Sequence, residues 1–462
     1  MPRITIQAAT KDAYQLFHDG SLALARASRV GMQIDLPYCV QQIKQLNRII
    51  KQNESDFWNT STGQLWIKVC SRPNLNSDTQ LRKILYDNLK LTSTKYTKKG
   101  KRSVDSETLS MLNTPGMEQL LTVRKLSKTV NTFLKGIFRE QVDGVLHPMY
   151  NLNIAKTYRS SSDHVNFQNI PKRDKDMMQA IRGAIFARKD HQIYEVDFSG
   201  IEVRIAACYH QDPTMLKYIL DPTTDMHRDM AIQLYDLSGL DKKCPGEKQL
   251  RYGAKNGFVF PQFYGDYYGN NAPALLKIAA GQNLADGTPV YEHLQTKGYI
   301  KLNKDGTIRN SQKFVDHVQE VENDFWEHRF QVYKQWKDAN YARYQRTGYV
   351  ELFTGFRCGG VMSRNECNNY PVQGAAFHCL LWSFIETDRL IEKQKLDSKL
   401  TGQIHDSMLI DLLPDEYDYL SPHIRHITTH KLVEHWPWII VPMDVEEALS
   451  PVNQSWAVSE ED

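Results

Sequence analysis

Tyr194-Glu195-Val196-Asp197-Phe198-Ser199-Gly200-Ile201-Glu202-Val203-Arg204 is the stretch on which the fold turns. Gln192 to Val196 reads as a strand ending at Asp197, and a helix begins after Gly200. Strand ends in sheets of this kind are common places for catalytic groups. A second stretch, Gln403-Ile404-His405-Asp406-Ser407-Met408-Leu409-Ile410, repeats the theme. There a His-Asp pair interrupts an apolar strand run, as at a hairpin bend. Burying Asp406 without a partner is costly, and a cation offsets that cost. Either aspartate alone reads more readily as a cap or turn residue, since caps and turns outnumber metal sites.

Taken together, two such carboxylates suit phosphoryl transfer assisted by two metal ions. One ion lowers the pKa of an attacking hydroxyl and the other steadies leaving pyrophosphate, the two lying about 4 Å apart. Mg²⁺ prefers oxygen ligands and keeps waters and substrate phosphates in its shell. Two aspartates and a backbone carbonyl therefore suffice when a triphosphate supplies the rest.

The bulk properties leave room for this reading. The 462 residues are enough for several sub-domains. A net charge of +3 says little about nucleic acid, because a local basic groove matters more than the total. Lys95, Lys98, Lys99, Lys101 and Arg102 crowd one stretch, a basic tip between helical segments. Seven cysteines with no C-x-x-C pair predict reduced thiols and a cytoplasmic protein. No signal core or long apolar run stands in the chain, so no membrane partner is expected.

Working outward, apolar periodicity predicts helices over 12–59, with a turn at Gly31–Asp35, and over 75–90 and 105–140. Helix returns over 200–280, 311–346 and 376–395. A small hairpin is expected at 301–308, and strands at 403–412 and 438–445. Helices, then strands far apart in sequence with a helical insertion between them, make an α+β pattern.

The motifs resemble those of the family A DNA polymerases, the bacterial DNA polymerase I group that includes many phage replicases. Asp197 to Arg204 is similar to D-[YF]-S-x-I-E-x-R, and His405-Asp406 to the family's H-D pair. Thr157-Tyr158-Arg159, running on to Asn166-Phe167-Gln168-Asn169-Ile170-Pro171, resembles T-G-R…N-L-Q-N-I-P. Asp225-Met226-His227 resembles D-I-H, and Asn369-Tyr370-Pro371-Val372-Gln373-Gly374 resembles N-x-P-x-Q-G. Arg251, Lys255 and Tyr264-Gly265 resemble the fingers helix. Six motifs in the family's order are far more specific than any one, and the likeness runs from about residue 15 to the C-terminus.

The resemblance implies a right hand, with an antiparallel palm sheet flanked by helices. Residues 1–145 would be an N-terminal segment and thumb, 146–204 the first part of the palm, 205–350 the fingers with an insertion, and 351–462 the second part of the palm. It implies a template-directed DNA polymerase acting on primer–template DNA and deoxynucleoside triphosphates, with two Mg²⁺ ions for which Mn²⁺ can substitute. Asp197, Asp406 and the Phe198 carbonyl would bind metal. Arg251, Lys255 and His227 would grip the triphosphate, with Lys255 also counted catalytic. Glu202 would exclude the ribose 2′-hydroxyl. Arg159, Asn369, Gln373 and His405 would touch the primer–template, and Lys98, Lys99, Lys101 and Arg102 its backbone. The residues agree in part: Arg251 and Lys255, four apart, share one helix face and can neutralise phosphate oxygens.

Two departures stand out. The family spaces its lysine, stacking aromatic and tyrosine four apart each, whereas Lys255 and Tyr264 are nine apart. Phe260 has the correct spacing to Tyr264 and Phe258 lies nearer the face of Lys255. A kink or π-bulge would reconcile both, and Phe260 is the expected base-stacking residue, with Phe258 the alternative. Ser407 stands where many relatives carry a second carboxylate, which puts a third acidic metal contact in doubt. About 15 residues precede the thumb-like segment, so no built-in 3′–5′ exonuclease is expected, and a separate exonuclease or replisome subunit would be a partner. The free-standing module and phage-like fingers hint at a virus working in a bacterial cytoplasm. Competing readings are a single-subunit RNA polymerase, a non-catalytic DNA-binding accessory subunit and a metal nuclease. Glu202 and the Asn369–Gln373 motif oppose the first, and the triphosphate-binding set opposes the others.

Overall fold

The computed structural model describes residues 5–461 apart from 94, 95, 98, 99, 111, 113, 172 and 173. Its centre is a five-stranded antiparallel sheet, ordered Lys399–Ile404, Ser407–Leu412, Gln192–Phe198, Val445–Leu449, Glu460–Glu461. The central strand is buried along most of its length because both faces are covered. Tyr194, Val196 and Phe198 point into one core, shared with helices Lys11–Val30, Ile201–His210 and Arg364–Gln394. Ile193 points into a second core, shared with Leu409, Trp456 and the helices of residues 36–140. Alternation along a strand thus assigns Asp197 to the face of Ile193 and Glu195.

Residues 36–140 form a helical module around Phe57, Trp66, Leu120 and Phe133. The Gly31–Asp35 turn contains a short strand, Met32–Ile34, paired with Val145–Leu146 and Ile185–Phe186. Residues 201–347 are the helical insertion, with a small hairpin of Lys301–Leu302 against Ile308–Asn310. No helix among the described residues is long and apolar enough to cross a membrane.

Two elements depart from expectation, each for a visible reason. The long helix begins at Arg364 rather than 376, so the Asn369–Gln373 motif lies inside it. A capping box of Ser363 and Glu366 starts it. Pro371 lacks the N–H that would bond the Cys367 carbonyl, and Asn340 Nδ2 donates to that carbonyl instead, at 2.9 Å. At the C-terminal end, the strand is Val445–Leu449 rather than 438–445. Residues 439–445 do alternate buried and exposed. Their backbone groups, however, bond elsewhere: the Asp444 carbonyl accepts from Ser199 N–H at 2.9 Å and the Pro442 carbonyl from Arg204. The alternation reported burial and not strand pairing.

Candidate active site

The two aspartates meet at one end of the sheet. Ser407 and Glu446 lie opposite Asp197 on the two neighbouring strands, so Asp406 sits one residue beyond the pair, in the bend of the hairpin. The Phe198 N–H donates to the Asp406 carbonyl at 3.1 Å and ties the two main chains together. The donors present, two carboxylates and the Phe198 carbonyl, are all oxygen, which suits a hard divalent cation. Among the described residues no group of three or more His, Cys, Asp or Glu is arranged to hold a metal. A hard cation of this kind usually keeps water and substrate phosphates in its shell. Two residues back along the same face, Glu195 is buried against Arg182 Nη1 at 3.3 Å and Trp456 Nε1 at 2.9 Å. The Arg182 guanidinium, stacked 3.7 Å from the Trp456 ring, also faces the charge of Asp197.

The bend carrying Asp406 is held from outside. His405 has φ 51, a left-handed conformation that costs a non-glycine residue about 1–2 kcal/mol. Its N–H donates to Gln168 Oε1 at 2.7 Å, and its carbonyl accepts from Gln403 Nε2 at 2.6 Å. Gln168 Nε2 in turn donates to Gln403 Oε1 at 2.7 Å and to the Gln403 carbonyl at 3.0 Å.

Glu202, in the first turn of the helix that follows Asp197, is ion-paired with Arg159 and accepts a hydrogen bond from the Tyr264 hydroxyl. Tyr158 stands where the resembling motif has glycine, and its φ of 62 lies in the region glycine favours. Its ring is buried beside Phe356 and His378. Gly374 lets this segment approach the long helix, since a Cβ there would lie 3.0 Å from the Tyr158 Cβ and 2.6 Å from Leu352 Cδ2. Asn369 and Gln373, four apart on that helix, stay half-buried among buried neighbours. Asn369 Nδ2 reaches the Tyr264 carbonyl at 3.3 Å.

The cations of the insertion gather around Asp225. It caps the helix Met226–Tyr235 by accepting from Arg228 N–H, and it pairs with Arg251 Nε at 2.9 Å and Lys242 Nζ at 2.7 Å. Burial pushes the Asp225 carboxyl up, but the bonds from Arg251 and Lys242 outweigh it and hold the group far below the usual carboxylate range. Burial, with the charges of Lys255 and Arg251, pulls His227 down to about 4, so its imidazole is neutral at pH 7. The His227 ring meets Phe260 edge-on at 5.8 Å, and Lys255 Nζ lies 5.5 Å from the centre of the Phe260 ring.

The extra residue between Lys255 and Tyr264 is absorbed by a π-helical turn, Lys255–Val259, in which the Phe260 N–H bonds the Lys255 carbonyl. Pro261 follows this wide turn directly, at the start of the segment Phe260–Tyr264, so its ring and missing N–H fall where the helix is already widened. The wide turn also sorts the two phenylalanines. Phe258 is fully buried, packed edge-on against Phe325 at 5.4 Å, while Phe260 faces His227 and Lys255. Trp326 Nε1 and Asn271 Oδ1 anchor this helix from behind through the Gln262 amide, at 2.7 and 2.8 Å.

The basic tip stands apart from these residues. Lys98 and Lys99 lie outside the described residues. Lys101 is exposed, and Arg102 is paired with Asp87 and stacked 4.8 Å from the Tyr86 ring. Lys101 and Arg102 join Arg72, Arg82 and Lys83 around an open concavity of about 930 Å³. Sequence reasoning assigned no role to Gln168, Gln403, Arg182 or Asp225. Gln168 and Asp225 sit inside quoted motifs, but a single polar residue there carries no periodicity to mark its partner.

A central antiparallel sheet with two aspartates at one end, a cation-bearing helical insertion and a separate helical module make a right-hand polymerase fold. The POL domain of Pol1 from M. smegmatis, solved in complex with DNA primer-template and dNTP, shares it with a TM-score of 0.74 at 21% identity, over 96% of this chain and 70% of that one. The family model described as DNA polymerase family A matches residues 38–275. The thermostable DNA polymerase I of Thermus thermophilus is 25% identical over 96% of this chain, and the DNA polymerase I of Aquifex aeolicus 26% identical over 92%. The chain covers 48% and 64% of those two relatives. It belongs to DNA polymerase family A.

Proposed function

We propose that this chain is a template-directed DNA polymerase that adds deoxynucleoside triphosphates to a primer 3′ end. The observation that carries the reading is the bond from Phe198 N–H to the Asp406 carbonyl, which brings both aspartates to one sheet end. Membership of family A supports it, as does the primer-template and dNTP named for the structural relative. In this reading the sheet and the long helix are the palm, residues 205–350 carry the fingers and residues 36–140 the thumb.

Each residue then has a physical task. Asp197, Asp406 and the Phe198 carbonyl hold two Mg²⁺ ions, with Mn²⁺ able to substitute. When bound, such ions would supply activation of the primer hydroxyl and neutralisation of charge on the pyrophosphate. Arg251 and Lys255 meet the triphosphate oxygens, and charge growing on the leaving group strengthens those contacts. Asp225 pre-orients Arg251, which reduces the side-chain entropy lost on binding. Neutral His227 offers a hydrogen bond without a further charge. Phe260 stacks on the incoming base. Glu202, fixed between Arg159 and Tyr264, crowds the sugar and excludes a 2′-hydroxyl. Asn369 and Gln373 reach the minor groove, whose acceptors are shared among base pairs, so pair shape is checked without reading sequence. His405 contacts the primer end. Lys101 and Arg102, with Lys98 and Lys99, contact the DNA backbone and supply affinity rather than specificity.

Primer extension tests the proposal. Wild type should extend a primer with deoxynucleotides, while Asp197→Ala and Asp406→Ala should each lose about a hundred- to a thousandfold in kcat, the scale of removing an electrostatic catalytic group. Unchanged extension by either variant would defeat the reading, and efficient extension with ribonucleotides alone would favour an RNA polymerase.

A further inference from the structure

We infer that Gln168 and Gln403 act together as a positioning bracket that sets where Asp406 stands relative to Asp197. The inference rests on the metal-binding reading of those two aspartates. The two glutamines come from segments 235 residues apart, and neither belongs to the carboxylate pair.

The bracket closes on one residue, gripping the peptide units on both sides of His405. Gln168 Oε1 accepts the His405 N–H, and Gln403 Nε2 donates to the His405 carbonyl. The two side chains are joined to each other, Gln168 Nε2 to Gln403 Oε1, so neither amide can rotate alone. Both ends are braced. Ser160 Oγ donates to Gln403 Oε1 at 2.5 Å and accepts from Gln168 Nε2 at 3.1 Å. The Gln403 N–H donates to the Tyr150 hydroxyl at 3.0 Å. Beneath Gln168, buried Phe167 stacks on Trp456 at 5.9 Å, and its N–H donates to Ser162 Oγ at 2.6 Å. Gln403 is 1% exposed.

This arrangement answers a local difficulty. A two-residue bend with histidine at positive φ does not hold itself, because glycine or asparagine is preferred there. Ser407 follows Asp406 and adds no carboxylate, so the separation of the two aspartates rests on the backbone of the bend. An amide offers an acceptor and a donor at one side-chain end, so each glutamine can bond His405 with one atom and its twin with the other. Groups that orient metal ligands from behind commonly change metal affinity by 10–100-fold when removed.

The test is Mn²⁺ binding to the polymerase–primer–template complex, followed by the loss of free-ion paramagnetic resonance signal. Gln168→Ala and Gln403→Ala should each raise the Mn²⁺ dissociation constant about tenfold or more. Primer–template affinity should stay within about twofold, and the double variant should lose little beyond either single one, because the pair acts as a unit. Mn²⁺ affinity equal to wild type in Gln168→Ala would overturn the bracket, and so would losses that multiply in the double variant. Half-exposed Gln168 carries the test alone if Gln403→Ala fails to fold. An Asp406→Asn control separates the two ideas: Mn²⁺ binding that survives it defeats the carboxylate reading itself, whatever the glutamines do.

Discussion

Phe258 and Phe260 are two residues apart and chemically identical, yet the π-turn sends one to the core and the other to the cation cluster. Their substitutions should therefore separate cleanly. Phe258→Ala should cost about 3–5 kcal/mol of stability in denaturant unfolding, the usual range for emptying a buried aromatic site. Phe260→Ala should cost under about 1 kcal/mol of stability but raise KM for deoxynucleotides several-fold. The reverse pattern would assign stacking to Phe258. The spacing of Lys255 and Tyr264 had already called for a bulge or kink near these residues. Spacing to Tyr264 favours Phe260 for the site and spacing from Lys255 leaves Phe258 as the alternative, whereas the burial of the Phe258 ring depends on packing against Phe325 that neither spacing contains.

At the scale of elements, the long helix Arg364–Gln394 shows how a local rule is overridden by a distant partner. Pro371 argues for a break, and an isolated helix would lose a bond there. The Asn340 amide, from the preceding helix Gln331–Thr347, takes up the stranded Cys367 carbonyl. Asn340→Ala should leave that carbonyl unpaired and cost about 1–3 kcal/mol in unfolding experiments. Hydrogen exchange should accelerate at the start of the helix, around residues 364–371, more than at its end. A uniform change along the helix would count against the assignment. The same lesson holds for residues 439–445, whose alternation was legible but whose backbone partners were not.

For the molecule as a whole, two buried histidines tie stability to pH. Burial, together with the charge of Lys337, pulls His210 down to about 3, and burial alone dominates for His378, also at about 3. In the unfolded chain both return to about 6.5. Between pH 6.5 and 4.5 these two histidines therefore bind more protons in the unfolded state than in the folded one, and their contribution to stability falls with acid. The slope is up to about 1.4 kcal/mol per pH unit for each histidine. Urea unfolding at pH 7.0 and 5.0 measures it, and a His378→Gln variant should show a shallower dependence than wild type. Equal slopes would mean that His378 titrates in the folded state as it does in solution.

What the sequence determined by itself was local. It indicated a strand from Gln192 running into Asp197, a bend at His405–Asp406 in a second strand run, the spacing of Arg251 and Lys255, and the extra residue that the π-turn absorbs. Those features depend on chain neighbours, so they leave a pattern along the chain. Tertiary structure alone decided which groups meet across it: Gln168 with Gln403 behind His405, Asp225 with Arg251, Asn340 with the carbonyl freed by Pro371, and Arg159 with Glu202. A hydrogen bond between residues hundreds apart imposes no period on either segment, and only the packed sheet and helices bring its donor to its acceptor.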